Sequence, residues 1–464
     1  MTLSAPFTQA LRQLLGPENV ADAPETLVCY SLDAMNEPAP EGPELVVFPP
    51  NEAAVAGVMA LCQRFRIPVT PRGAGVGMTG GCVPACGGIV MAMTRLNRIL
   101  EIDSDNLVAV VEPGVVTQHL QDAVKPLGLF YPPDPASANT STLGGNVAEC
   151  AGGLSAVKYG VTKHYVLGAR FVLPDGTLCS AGGKMVKNVV GYDLLGLLVG
   201  SEGTLAVITQ LTLKLLPLPE VRRTLLVAFA SVEDAGAAVA DIIRARIVPT
   251  ALELMDRPSI RAVEDVLHYG IPTDSEALLL VEIDGKPGDV EADFIRLLDQ
   301  VKAHGGHIAL EAADAAQRER IWEFRRTISP AITCLKSLKI NEDIVVPRSE
   351  MPRILRRIEE IAARFQVAVV CYGHAGDGNL HVNLLAERQD RDEVERALDA
   401  VEEIFKASVA LGGAISGEHG IGLAKKRYIR YNLSPDVLAL TRRIKQAFDP
   451  AGILNPGKIF PDEP

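Results

Sequence analysis

Apolar positions along this 464-residue chain follow two successive patterns. Between residues 45 and 218, short runs rich in Val, Ile and Leu (45–48, 67–70, 108–111, 166–173 and 205–215) alternate with amphipathic stretches at 53–65 and 117–127. Short apolar runs bounded by Gly and Pro read as buried strands, and apolar positions three and four apart read as helices. The first pattern predicts an α+β or α/β domain of small layers joined by glycine-rich turns.

From about 221 to 410 the elements lengthen. Strands are predicted at 224–229, 277–283, near 344, at 368–372 and at 380–384, with helices at 232–245, 290–304, 321–333, 351–365 and 390–411. This order predicts two-layer packing of helices on antiparallel strands. The tail, 433–464, holds a short helix and a compact end at 448–460, and no internal repeat points to a scaffold.

The length allows two or three domains with a substantial core. With 57 acidic against 45 basic side chains the net charge is -12, which argues against a nucleic-acid footprint and against a general attraction to anionic membranes. Small molecules or proteins are the expected partners. Eight cysteines, at 29, 62, 82, 86, 150, 179, 334 and 371, form no cluster suited to structural zinc or iron–sulphur. Free thiols in a reducing cytoplasm are the expectation. No run reaches the roughly 18–20 apolar residues of a membrane span, so docking at the inner face of the membrane is expected only through a partner.

Glycine then changes the picture. Residues 71–81 carry five glycines in eleven positions, including G-x-G-x-x-G at Gly75, Gly77 and Gly80. A dinucleotide fingerprint should open a helix there, whereas residues 82–88 favour further loop. Such a loop still lets the backbone approach a ligand closely and aim its amides at phosphate oxygens, with a tight structural crossover as the alternative. Two more glycine concentrations lie at 132–153 and 200–208. Each alone is a turn; three together favour a dinucleotide or flavin site.

The strongest chemical signal lies at 371–383 and 418–419. His374 and His381 are seven apart and flank Gly376-Asp377-Gly378, a strong turn former. If the flanks are adjacent strands, both imidazoles reach one pole, where Glu418 could add a carboxylate. Two His and one carboxylate would leave metal positions open; polar satisfaction and metal-free acid/base use remain alternatives on spacing alone. His419 could be a base, a further ligand or a buried donor. Arg325 and Ser329 are four apart on a predicted helix and share a face; a guanidinium there could grip a carboxylate as a planar fork, with a solvated surface position as the default alternative for an arginine.

On these motifs and their order, nearly the whole chain resembles the FAD-dependent vanillyl-alcohol oxidase/p-cresol methylhydroxylase (PCMH) superfamily. Within it the chain is similar to the group of glycolate oxidase flavoprotein subunits, D-lactate dehydrogenases and D-2-hydroxyglutarate dehydrogenases. The resemblance implies an α+β fold: a two-subdomain PCMH-type FAD-binding domain (1–220), a ferredoxin-like substrate cap (221–410) and a C-terminal helical segment (411–464) returning to the FAD domain. It implies noncovalent FAD held by Pro71, Arg72, Gly73, Ala74, Gly75, Val76, Gly77, Thr79 and Gly80. To these it adds Pro133, Asp134, Ser137, Thr142, Gly144, Gly145, Asn146, Ala148, Gly152 and Gly153, then Glu202, Gly203, Leu205, Val207, Ile208 and Asn455.

It further implies a divalent metal, zinc, iron or manganese, on His374, His381 and Glu418, with His419 as general base. The substrate contacts would be Arg325, Ser329, Lys339 and Asn383. The implied reaction oxidises a small D-2-hydroxy acid to the 2-oxo acid. D-lactate or glycolate is favoured over D-2-hydroxyglutarate because no duplicated cation cluster is obvious, and hydride and carbanion routes both stay open. A noncatalytic flavin-binding electron-transfer subunit is the alternative from another class, against which the intact His, Glu and Arg set argues. Electrons would leave through an iron–sulphur subunit, an electron-transferring flavoprotein or a quinone; a dimer is left open. Two departures stand out: Cys150 where the family often has Asn, and Leu195-Gly196 where many members have Thr-Arg.

Overall fold

A computed structural model describes residues 3–35 and 42–462. The chain forms two compact units, one from Met1–Gly152, Val161–Leu218 and Glu418–Pro464, the other from Gly153–Gly160 and Pro219–Gly417.

The first unit contains two main sheets. In the four-stranded sheet, strands Leu45–Val47 and Val69–Arg72 both pair in parallel with Ile89–Ala92. Parallel neighbours need a crossover, and helix Glu52–Phe65 lies between the first two in the chain. Its start is fixed by the Asn51 side chain, which accepts the Ala54 N–H at 2.9 Å, the usual way of satisfying a first-turn amide. Its apolar face, Val55, Val58, Met59 and Cys62, enters a core shared with Val47, Ile89 and, from the C-terminal segment, Ile453 and Leu454. The C-terminal segment thus joins this unit through its core, and Val69 forms a parallel bridge to Leu454. A second, antiparallel sheet has the order Ile99–Asp103, Val108–Val111, Val207–Lys214, Val166–Val172, Leu178–Gly182.

The second unit is built on one seven-stranded antiparallel sheet. Its order is His307–Glu311, Val221–Phe229, Ala277–Gly285, Ala251–Asp256, Ala368–His374, Asn379–Ala386, Leu338–Val345. Helices Arg257–Leu267 and Ala315–Thr333 pack on one face through Ile260, Val263, Ile321, Phe324, Ile328 and Ile332, against Leu226, Leu278, Leu280 and Val370. Each such side chain contributes about 1.5–3 kcal/mol by leaving water. The expectation of two layers is corrected here. Residues 277–284 of the central strand are buried without alternation, and helices Val232–Arg244 and Pro287–Ala303 also contact that strand, so the sheet is covered on both faces. A continuous apolar run carries no sign of which face is covered, and sequence periodicity could not separate one covered face from two.

Candidate active site

Pairing register assembles the polar residues of the second unit. Across antiparallel strands, Glu253 stands opposite His374, Tyr372 opposite His381, and His381 opposite Asp343. The next row sets Val370 against Asn383 and Asn383 against Asn341, and Lys339 faces Leu385. Side chains on directly opposed residues share a sheet face. Glu253, His374, His381, Asp343, Asn383 and Lys339 therefore lie on the same face as Val370 and Leu385, the face that helix Ala315–Thr333 covers. The turn between the two histidine strands is tight: the Gly378 N–H donates to the His374 carbonyl at 3.1 Å. Gly378 has φ +87, and a Cβ there would sit 2.0 Å from the Val346 carbonyl oxygen. Glycine is required at that position.

The imidazoles of His374 and His381 meet edge to face with centroids 5.2 Å apart, and both are buried. The Nδ1 of His374 lies 2.7 Å from a Glu253 carboxylate oxygen. When Nδ1–H donates to that acceptor, the imidazole lone pair lies on Nε2, as a metal ligand requires. The other Glu253 oxygen accepts from Arg325 Nε at 2.8 Å and is ion-paired with Nη2 at 2.7 Å. Burial pushes the Glu253 carboxyl upward, but His374 and Arg325 outweigh it and hold its pKa below the ordinary value.

Arg325 also lies over the Tyr372 ring, 4.8 Å from its centroid. Burial raises the Tyr372 pKa. Lys339 donates to Ser329 Oγ at 2.9 Å, and burial lowers its pKa. Asp343 accepts from Ser416 Oγ at 3.0 Å and from the Gly417 N–H at 2.9 Å, and from Asn379 Nδ2. It faces His381 Nδ1 at 3.9 Å. Arg325, Ser329, Lys339, Asn383, His374 and His381 are thus brought together. Glu253, Asp343 and Tyr372 were missed by sequence reasoning: a Glu in an apolar strand more than a hundred residues before His374 carries no local signal.

The first unit supplies a cavity lined by the three glycine-rich segments. No helix opens after Gly80; the chain stays in loop to residue 88. Gly75 has φ +75, and a Cβ there would lie 2.0 Å from Arg72 Nη2, so this turn also demands glycine. Arg72 is anchored rather than loose, donating to the Leu32 carbonyl at 2.7 Å. Thr142 Oγ1 is buried in the cavity wall and has no hydrogen-bond partner within the protein. A buried orphan hydroxyl beside small residues suits a ligand rich in acceptors. Asn146 lines the cavity, but its amide is committed to Thr117 Oγ1 at 2.7 Å.

Other predicted cofactor residues brace the walls. Asn455 donates to the Gly81 carbonyl at 2.9 Å and the Glu202 carbonyl at 2.7 Å, tying two glycine segments together. Both Glu202 oxygens accept backbone N–H groups, from Ile421 at 2.8 Å and Gly422 at 2.7 Å. Thr79 Oγ1 donates to the His419 carbonyl at 3.0 Å. Together these contacts pin the segment that places Glu418 and His419 on the cavity wall. Leu205 is a core residue, the Pro133 carbonyl accepts from Gln121, and Thr79, Gly80, Pro133, Asp134, Leu205 and Asn455 lie outside the lining. Gly153 belongs to the other unit. Cys150 does not line the cavity either; it caps helix Leu143–Glu149 with φ 55, a left-handed conformation that Asn adopts more readily than Cys.

Glu149 was also missed, and it does line the cavity. One of its oxygens has no hydrogen-bond partner. Burial first, and then the neighbouring Glu202 and Asp33, push its pKa well up. Glu202 is raised by burial as well, but its two N–H donors and Lys458 favour its charge. Of two close carboxyls with unequal donors, the less satisfied one is drawn more toward its neutral form.

Comparison with known proteins agrees with this architecture. Residues 43–182 match the family described as FAD binding domain, and residues 218–459 match FAD linked oxidases, C-terminal domain. The chain belongs to the FAD-linked oxidases: it is a flavoprotein oxidoreductase of the PCMH-type superfamily that uses FAD.

More particularly, it is 41% identical over 453 residues to the glycolate oxidase subunit GlcD of Bacillus subtilis (strain 168), covering 97% of this chain and 96% of that protein. It is 35% identical over 453 residues to a D-lactate dehydrogenase of Anaerostipes hadrus, covering 96% and 95%. Among solved structures, p-cresol methylhydroxylase with substrate bound superposes with TM-score 0.81 at 18% identity, covering 98% of this chain and 96% of that one. At that identity it establishes the two-domain α+β FAD-binding fold.

Proposed function

We propose that the protein oxidises a small D-2-hydroxy acid, D-lactate or glycolate, to the corresponding 2-oxo acid. The observation that carries this reading is the polar row on the second unit's sheet, where a buried guanidinium, two facing imidazoles and the hydroxyl of Tyr372 share one face beneath one helix. A guanidinium suits a carboxylate and paired imidazoles suit a metal. The GlcD and D-lactate dehydrogenase relatives support this substrate class.

In this reading His374, His381 and Glu418 hold one divalent cation. FAD supplies the two-electron acceptor, and the cation supplies Lewis-acid polarisation of the substrate 2-hydroxyl. Arg325 binds the substrate carboxylate, with Ser329, Lys339, Tyr372 and Asn383 shaping the surrounding polar wall. His419 accepts the hydroxyl proton. The glycine segments exclude bulk from the cofactor cavity, and Asn455 keeps two of them in register. An iron–sulphur or flavoprotein partner, or a quinone, takes the electrons onward, in the cytoplasm or at the inner face of the membrane; a copurifying redox protein would identify it.

Anaerobic mixing of the metal-replete flavoprotein with D-lactate, glycolate and D-2-hydroxyglutarate tests the proposal. Flavin bleaching by D-lactate or glycolate is expected. Bleaching by D-2-hydroxyglutarate alone would transfer the reading to that dicarboxylate, and no bleaching by any of the three would end it.

A further inference from the structure

We infer that Glu253 is a shared positioning residue: one buried carboxylate fixes the ring of His374 through Nδ1 and the guanidinium of Arg325 through Nε and Nη2. This rests on the proposed roles of His374 as metal ligand and Arg325 as carboxylate clamp, and it adds the group that ties the two together.

The geometry leaves little freedom. Glu253 is fully buried and directly opposite His374 in the sheet register, so the backbone pairing itself delivers the carboxylate to the imidazole. Its two oxygens are divided between the partners, one 2.7 Å from His374 Nδ1 and the other taking both Arg325 contacts, at 2.8 and 2.7 Å. The Tyr372 ring backs the guanidinium. Because the Nε–Nη2 edge of Arg325 faces Glu253, a substrate carboxylate meets the guanidinium from its Nη1 end. The carboxylate and guanidinium charges cancel, which lets a neutral imidazole sit beside them without an uncompensated buried charge.

Glu253→Gln keeps the shape and removes this division of labour. An amide offers one acceptor oxygen; when that oxygen takes Arg325, the NH2 either opposes the His374 Nδ1–H or donates to a bare Nδ1, which puts the ring proton on Nε2, where a metal ligand needs a lone pair. Loss of such an outer partner typically lowers metal affinity by about 10–100-fold.

The test uses full-length flavoprotein stripped of metal, with zinc affinity read by competition with a chromogenic chelator and pyruvate affinity read from the flavin spectrum. Glu253→Gln is expected to lose about 10–100-fold in zinc affinity and to bind pyruvate more weakly. In an Arg325→Ala background it is expected to change pyruvate binding no further while still weakening zinc, the non-additivity that marks action through Arg325. Wild-type zinc affinity in Glu253→Gln, or a pyruvate loss that adds in full to that of Arg325→Ala, would overturn the inference. His374→Ala separates the two levels. If it loses zinc and Glu253→Gln does not, only this inference falls; if it keeps zinc, the metal reading falls and takes the His374 half with it. Should Glu253→Gln not fold, nitrogen-15 histidine spectra of the metal-free wild type decide: a His374 ring protonated on Nδ1 supports the inference, and one protonated on Nε2 overturns it.

Discussion

The two units make their sites from different materials. In the first, the cavity is walled by glycines, small side chains and backbone, and its polar side chains mostly brace the loops: Asn455 ties carbonyls, Glu202 ties amides and Thr79 holds the His419 carbonyl. In the second, the polar row is made of charged and aromatic side chains whose contacts are with one another, as in His374–Glu253–Arg325 and Lys339–Ser329. A backbone-built site distributes its energy over many weak contacts, so single truncations should be tolerated. A network of buried charges concentrates it, so single truncations should be severe.

His381→Ala should have the largest effect. Loss of metal is expected to slow substrate-driven flavin reduction by about 10³-fold while FAD stays bound; stopped-flow absorbance and metal analysis check both. Undiminished metal content would break the contrast between the units. Arg325→Ala comes next, weakening carboxylate binding by about 10²-fold because it removes the clamp and leaves Glu253 buried without its cation, as a substrate titration would read. In the first unit, Asn455→Ala is expected to weaken FAD by only about tenfold, the loss of one or two buried hydrogen bonds, measured by flavin fluorescence on dilution. A complete loss of FAD would show that this unit too depends on a single side chain.

Glu149→Gln should have the smallest effect, with a pH signature. The folded-state pKa of Glu149 is raised, mainly by burial, so its contribution to stability is present below the ordinary glutamate pKa and is lost as pH rises toward the raised value. The glutamine isostere cannot ionise. The variant should match wild type near pH 4.5 and melt about 2–4 °C higher at alkaline pH, in paired melting curves. An equal difference at every pH would locate the effect in packing rather than in ionisation.

Much of the first unit was legible because its requirements are conformational. Glycines at φ +75 and +78, at Gly75 and Gly80, are demanded by local backbone geometry, and local geometry is written in local sequence. The histidine turn was legible for the same reason, since Gly378 admits no side chain. Asn455, Glu202 and Thr79 were placed at the cofactor by the family resemblance; their hydrogen bonds run to segments hundreds of residues away, which no spacing encodes. Cys150, a departure from the family pattern, is a helix cap. Glu253, Asp343 and Glu149 gave no signal, because an acidic residue in an apolar run reads as a lone polar position until its partner is known.

By itself, then, the sequence determined where the chain turns, many of its strands and helices, and which histidines share a turn, because these depend on neighbours a few residues apart; strands Ala251–Asp256 and His307–Glu311 and helix Arg257–Leu267 were missed. Only the tertiary structure decided the row. The register of strands 251–256, 368–374, 379–386 and 338–345 sets Glu253 opposite His374 and Asp343 opposite His381, and a slip of one residue would send every one of those side chains to the other face. Register is fixed by the packing of the whole sheet against its helices, and it turns a turn-forming histidine motif into an oriented pair beside an anchored arginine.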